Sequence, residues 1–340
     1  MKNTNKSIVA IVFIVFAIVC TFSSCYGIYY KDKVLDKEAI LENIPHLEQY
    51  IWDNMELNDV EKVSVAIVKG NEIIYAKAFN ASEDELFQAA SISKPVVSYA
   101  ALKLVEEGKL SLDIPLSKYV PLEYFPEGSK GYSITLRMIL DHTSGMGTDT
   151  NGIDRLIYSE PGKEFHYSGA GFEYLRNVMQ DLTRTPFDIY MEQNVLAPLG
   201  MIKSRFSITT NGKKWISAAG GLVTTPKELA TFFIELMNPK YMRTEIVREM
   251  LSDSIKIDDN NSWGLGIGLQ HGNNQNIIWH SGNNGRVWWS FACFSIPDQA
   301  GIIVMTKGRN GFKIYQEIAH FAIGGSFYGT IDVITRSAVK

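Results

Sequence analysis

The chain has 340 residues, 46% of them hydrophobic and 21% charged, which allows a large buried core in an ordinary globular fold. Its 33 basic and 37 acidic side chains leave a net charge of −4. No basic stripe interrupts the sequence, which excludes the electrostatic footprint of a nucleic-acid binder. Of three cysteines, Cys20 and Cys25 share one N-terminal apolar run and only Cys293 lies in the main body, so a disulfide framework is excluded.

Lys2 and Lys6 precede the apolar run Ile8 to Phe22, which ends in Ser23-Ser24-Cys25. A basic start, an apolar middle and small residues before a cleavage point describe an export signal. The small-small-Cys ending resembles a bacterial lipobox, which implies a lipid-modified Cys25 holding the protein to the outer face of a membrane. The 24 uncharged residues from Ser7 to Tyr30 are also long enough for an uncleaved anchor. Simple secretion is the third reading, and all three export the remainder. Residues 1–25 are thus an address and 26–44 a tether.

The tether runs into a helix whose apolar positions Ile40, Ile44, Leu47, Ile51 and Met55 recur at helical spacing. Val63 to Phe79 reads as a hairpin turning at Lys69-Gly70-Asn71, where glycine accepts a positive φ. Ser91 starts a helix that stops near Gly108. Between 110 and 240 turns mix with helices, among them Tyr174–Thr183 and Pro226–Met237. Trp263–Gln270, Gln275–Trp279, Val287–Ile296 and Gly301–Lys307 read as strands, and Lys313–Ile323 as a closing helix, with a tail over 326–340. Strands at both ends and helices between them predict an α/β fold of the α+β type. An antiparallel sheet formed by both chain ends carries flanking helices and an inserted, mostly helical lobe, in one domain over 45–325. The groove between lobe and sheet is where a ligand site is expected.

Phe87-Gln88-Ala89-Ala90-Ser91-Ile92-Ser93-Lys94 contains Ser-x-x-Lys at a helix start. Positions three apart share a helix face, so the Lys94 amine can approach the Ser91 hydroxyl. A serine hydroxyl needs a neighbour to take its proton, and a lysine can do so when burial lowers its pKa. Backbone N–H groups at a helix start can also serve an oxyanion hole. Taken alone, the same spacing describes an N-cap serine followed by a solvated lysine. Tyr167 alone reads as an aromatic in a turn, and His280 as an ordinary strand histidine. Cys293, in the apolar run Trp288–Ile296, reads as a buried small hydrophobe. The six histidines (His46, His142, His166, His271, His280, His320) lack ligand-like spacing, so neither a metal nor another cofactor is expected.

Further motifs follow in order: Asp141-His142-Thr143-Ser144-Gly145-Met146, Pro161-Gly162, Tyr167-Ser168-Gly169, Pro198-Leu199-Gly200-Met201, Ala218-Ala219-Gly220-Gly221-Leu222 and His280-Ser281-Gly282. In this order they resemble the family of class C β-lactamases, low-molecular-weight penicillin-binding proteins and their esterase and D-peptidase relatives, over residues 45–325. The resemblance implies that Ser91 is acylated, that Lys94 is its partner, and that Tyr167 is the general base and later acid. It implies that His280 and Gly282 line the groove, with His280 touching substrate. It implies further that the Asn283 backbone N–H joins that of Ser91 in an oxyanion hole, and that His142 is structural. Two departures from the family pattern, Gly169 in place of asparagine and His280 in place of lysine, weigh against efficient β-lactam turnover. The resulting expectation is an exported serine hydrolase acting on a small ester, amide or D-amino-acid peptide. A β-lactamase or D,D-peptidase, and an idle binder of cell-wall peptides, are the alternatives.

Overall fold

The computed structural model describes residues 33–120, 123–148, 155–272 and 275–325. The address segment with Cys20 and Cys25, the first part of the tether and the tail over 326–340 lie outside them. Among the described residues no helix is long and apolar enough to cross a membrane.

Among the described residues, twelve strands and eight α-helices follow one another. The first third holds helix α1 (Lys37–Leu57), strands β1 (Lys62–Lys69), β2 (Glu72–Phe79) and β3 (Phe87–Gln88), and helix α2 (Ser93–Glu106). The middle holds α3 (Leu136–Leu140), α4 (Gly169–Thr183), α5 (Phe187–Met191), β4 (Ile208–Thr210), β5 (Lys213–Trp215), β6 (Val223–Thr224), α6 (Pro226–Met237) and α7 (Thr244–Met250). The last part holds β7 (Ile255–Lys256), β8 (Asn261–Trp263), β9 (Gly268–Gly272), β10 (Gln275–Asn284), β11 (Trp288–Ser295), β12 (Ala300–Lys307) and α8 (Tyr315–Ile323).

Eight strands form one antiparallel sheet in the order β2-β1-β12-β11-β10-β9-β8-β7. The first strand therefore lies between β2 and β12, with Val65 opposite Val304 on one side and opposite Lys77 on the other. Successive side chains of β1 point to opposite faces, and both faces are covered. Val63, Val65 and Ile67 pack into a cluster with α1 and α8, while Ala66 and Val68 pack into a second cluster with α2 and α6. This explains why β1 reads as a continuous apolar run, although antiparallel sheets often leave one face wet.

Two expectations need correction. The tether ends earlier than residue 44, because Asp36 caps α1 by accepting from the Ala39 N–H at 2.9 Å, and Pro45 lies inside the helix. The run Trp263–Gln270 is two strands, with Trp263 at the end of β8 pairing Gly268 at the start of β9. The chain reverses through Gly266, at φ +85°, where a Cβ would fall 1.8 Å from Ser98 Oγ, so only glycine fits.

Candidate active site

Short strand β3 pairs with β6 and delivers the chain to the rim of the sheet. The Ala89 N–H extends that pairing by donating to the Leu222 carbonyl at 2.9 Å. Ala90 then takes φ +49°, a left-handed conformation unusual for a residue with a Cβ, and Ser91 sits in the 3₁₀ turn Ala90–Ile92 just ahead of α2. Three bonds hold this turn. Ser93 Oγ donates to the Ala90 carbonyl at 2.6 Å and accepts from the Leu222 N–H at 3.0 Å, and Ser290 Oγ on β11 donates to the Ala89 carbonyl at 2.7 Å.

Lys94 lies on the first turn of α2, with a side chain only 2% exposed. Its Nζ is 3.2 Å from Ser91 Oγ and donates to the Ala219 carbonyl at 2.9 Å. Burial lowers its pKa to about 7, and the negative charge of Glu173 opposes that shift. An amine with this pKa is part neutral near pH 7 and can take the Ser91 proton.

Tyr167 precedes α4, its ring 4.9 Å from Lys94 Nζ. Burial raises its pKa, and the nearby Ser91 hydroxyl lowers it in part. The hydroxyl forms no well-aligned hydrogen bond, although Ser91 lies close enough to favour ionisation. Tyr167 is therefore a phenol at neutral pH, chemically suited to give a proton, whereas the Lys94 amine is suited to take one.

Gly282 on β10 abuts Ser91. A Cβ there would lie 2.8 Å from Ser91 N, 2.6 Å from the Ala89 carbonyl and 2.5 Å from Ser290 Oγ, so this close approach demands glycine. Asn283 and Ser91 line the same cleft. His280 is placed differently from the expectation that it touches substrate. Its ring is fully buried, 5.5 Å from the Trp263 ring and 6.3 Å from that of Tyr167, and its Nδ1 is bonded to the neighbouring Ser281 carbonyl at 2.8 Å. Burial lowers its pKa to about 3, so it stays neutral behind Tyr167. His142 is also buried and accepts from the Ser168 N–H at 3.0 Å, as a structural histidine does. Cys293 is buried in β11, away from the cleft.

The cleft has a volume of about 640 Å³. Its described lining runs from Gln88 and Ser91 past Ile208, Trp215 and Gly220 to Asn283, Asn284 and Trp288, and contains no charged side chain. Asn284 Nδ2 donates to Gln88 Oε1 and to the Gly220 carbonyl, each at 3.0 Å, and so ties β10 to the loop opposite. Among the described residues no group of three or more His, Cys, Asp or Glu side chains could hold a metal ion.

Glu173 escaped the sequence reading. It lies six residues past Tyr167 on the buried face of α4, only 2% exposed. Its Oε1 accepts from Ser217 Oγ at 2.5 Å and from the Ala219 N–H at 3.1 Å, and Arg176 Nε lies 3.0 Å from Oε2. The available signal was a carboxylate amid the apolar side chains Phe172, Tyr174 and Leu175.

Residues 47–323 match the protein family described as Beta-lactamase, well over half of the chain. The chain belongs to the Beta-lactamase family. Among curated relatives, Protein flp of Staphylococcus aureus strain N315 is 23% identical over 340 aligned positions, covering 85% of this chain and 68% of that protein. Esterase EstB of Burkholderia gladioli is 38% identical over 179 positions, covering 41% of this chain and 45% of its own length. The octameric penicillin-binding protein homologue from Pyrococcus abyssi superposes with a TM-score of 0.70 at 22% identity, covering 82% of this chain and 76% of that one. D-alanine carboxypeptidase AmpC from Burkholderia cenocepacia does so with a TM-score of 0.70 at 18% identity, covering 84% and 99%. These structural likenesses show the Beta-lactamase-family fold, and the site described above lies against the end of β10 that runs past its pairing with β9.

Proposed function

We propose that this chain is an exported serine hydrolase that forms an acyl-enzyme on Ser91, acting on small uncharged esters or amides. One observation carries the reading: a serine 3.2 Å from a buried lysine amine opens onto a cleft whose described lining has no charged side chain. In the reaction Lys94 takes the Ser91 proton, and Tyr167 gives its phenol proton to the leaving group and recovers one from the Lys94 ammonium. Water then hydrolyses the acyl-enzyme through the same two groups to free the acid and Ser91. The N–H groups of Ser91 and Asn283 hold the oxyanion, each such donor worth on the order of 3 kcal/mol. A substrate carboxylate finds no cation among the described lining residues, which weighs against a carboxypeptidase or β-lactamase preference. The intact Ser91, Lys94 and Tyr167 weigh against an idle binding protein. Export rests on residues 1–25, and a Cys25→Ser variant that left a heavier, unprocessed precursor would support lipid anchoring over an uncleaved anchor.

The test is intact-mass measurement after treatment with a fluorophosphonate. One adduct is expected on the native chain and none on Ser91→Ala. An adduct that persists in the variant removes Ser91 as nucleophile. Turnover of p-nitrophenyl esters should then exceed that of a chromogenic cephalosporin, and the reverse order would overturn the substrate assignment.

A further inference from the structure

We propose that Glu173 is a positioning residue for the reaction, aiming the Ala219 carbonyl at the Lys94 amine and holding a negative charge behind it. The proposal rests on the reading of Lys94 as the group that takes the Ser91 proton.

The geometry is a chain of bonds through the loop that follows β5. Glu173 Oε1 takes the Ala219 N–H and the Ser217 hydroxyl, and Ser217 Oγ in turn accepts from the Gly220 N–H at 3.1 Å. The Gly221 N–H closes the turn onto the Ser217 carbonyl at 3.0 Å. A Cβ on Gly221 would lie 2.6 Å from that carbonyl and 2.8 Å from Ser217 N, so the turn is wound tightly around the carboxylate's partner. The outward side of the same turn presents the Ala219 carbonyl to Lys94 and the Gly220 carbonyl to Asn284. One buried carboxylate thus supports, from behind, the acceptor that orients the amine and the acceptor that orients the cleft wall.

Orientation matters because a neutral amine has one lone pair. With one N–H committed to Ala219 O, rotation of the amine is restricted and the lone pair can be held toward Ser91 Oγ. Charge acts in addition. The titratable groups that bear on Lys94 are Glu173 from α4, Tyr167 just before it, His142 after α3 and His280 from β10. Burial keeps both histidines and Tyr167 uncharged. It also raises the pKa of Glu173, but the Ser217 hydroxyl, the Arg176 guanidinium and the Ala219 N–H favour its carboxylate form, the anion that raises the proton affinity of the amine. Arg176, at the far side of the carboxylate, moderates that effect and donates from Nη1 to the Ile216 carbonyl at 3.3 Å. Removing the carboxylate charge lets the pKa of Lys94 fall further, and the uncompensated guanidinium pushes in the same direction.

The experiment follows kcat and KM for p-nitrophenyl butyrate, and the rate of fluorophosphonate labelling, against pH in the native chain, Glu173→Gln and Ser217→Ala. In Glu173→Gln the acid limb of kcat/KM should move toward lower pH by at least about half a unit, in labelling as in turnover. Ser217→Ala keeps the charge but loosens the turn, so kcat should fall about tenfold with KM within twofold and the limb unmoved. Thermal unfolding of each variant shows that it is folded. If Glu173→Gln does not fold, the split between kcat and KM in Ser217→Ala still reads the proposal. A native limb in a folded Glu173→Gln, or native kcat in Ser217→Ala with only a lower melting temperature, overturns it. Failure of the native chain to label at Ser91 would instead overturn the reading on which the proposal rests.

Discussion

Replacing Lys94 with methionine should abolish turnover and, below pH 7, make the protein more stable. Lys94 is fully enclosed, and burial lowers its pKa from the ordinary 10.5 to about 7. At about 1.4 kcal/mol per pH unit, that gap corresponds to a cost on the order of 5 kcal/mol when the unfolded chain is protonated. Methionine of similar length removes this cost but leaves the buried Ala219 carbonyl without its partner, a loss of about 1–3 kcal/mol. The net gain is about 2 kcal/mol, or a rise in melting temperature of roughly 4–8 °C at pH 6. The unfolded chain holds the lysine proton up to about pH 10.5 and the folded chain only below about 7. The penalty on the native chain is therefore full below pH 7, shrinks between the two values, and is gone above them. Calorimetry at pH 6 and pH 10 should show the advantage of the variant at the first and its disappearance at the second. Equal destabilisation at each pH would refute the claim that this amine is held neutral by burial.

Tyr167→Phe should lower kcat by about 10²–10⁴-fold with little change in folding, because it removes a positioned proton carrier from a site that keeps its nucleophile and base. His280→Ala should cost stability more than chemistry, since the ring is buried behind Tyr167 and is absent from the described cleft lining; ester kinetics and thermal melts on the two variants separate these effects. Gly282→Ala should reduce kcat and the labelling rate together, because its methyl group would press on Ser91 N and the Ala89 carbonyl. Native turnover in Gly282→Ala would place the oxyanion donors elsewhere.

Local patterns carried much of the fold. The β1–β2 hairpin follows from two β-rich runs around Gly70, at φ +63°, and helix α6 begins where Thr225 caps it by accepting from the Glu228 N–H. The run Trp263–Gln270 misleads because its alternating glycines satisfy a strand's period of two while also permitting a reversal. The apolar spacing from Ile40 onward marked α1, but the cap at Asp36 that starts it lies within a charged stretch that also reads as tether. At the site, Ser91 and Lys94 are three residues apart and their approach was predictable from helix geometry. The displacement of His280 was not, because the imidazole bonds the adjoining carbonyl and is thereby held against its own strand. Glu173 was missed for a different reason. Its partners Ser217 and Ala219 lie 44 and 46 residues away, and nothing in a local pattern says that a carboxylate on a helix will find them.

The position of β1 between β2 and β12 bears on when the protein can begin to act. Residues as far apart as Val65 and Val304 are neighbours, and β10, which presses Gly282 against Ser91, is joined to β1 only through β11 and β12. Such long-range pairing is slow to form, since the loop must close before the contacts that stabilise it exist. During synthesis Ser91 is made early, but the wall that completes its cleft is made nearly 200 residues later. The growing chain thus carries Ser91 without Gly282 and Asn283 beside it until its final strands dock, so topology alone delays completion of the cleft.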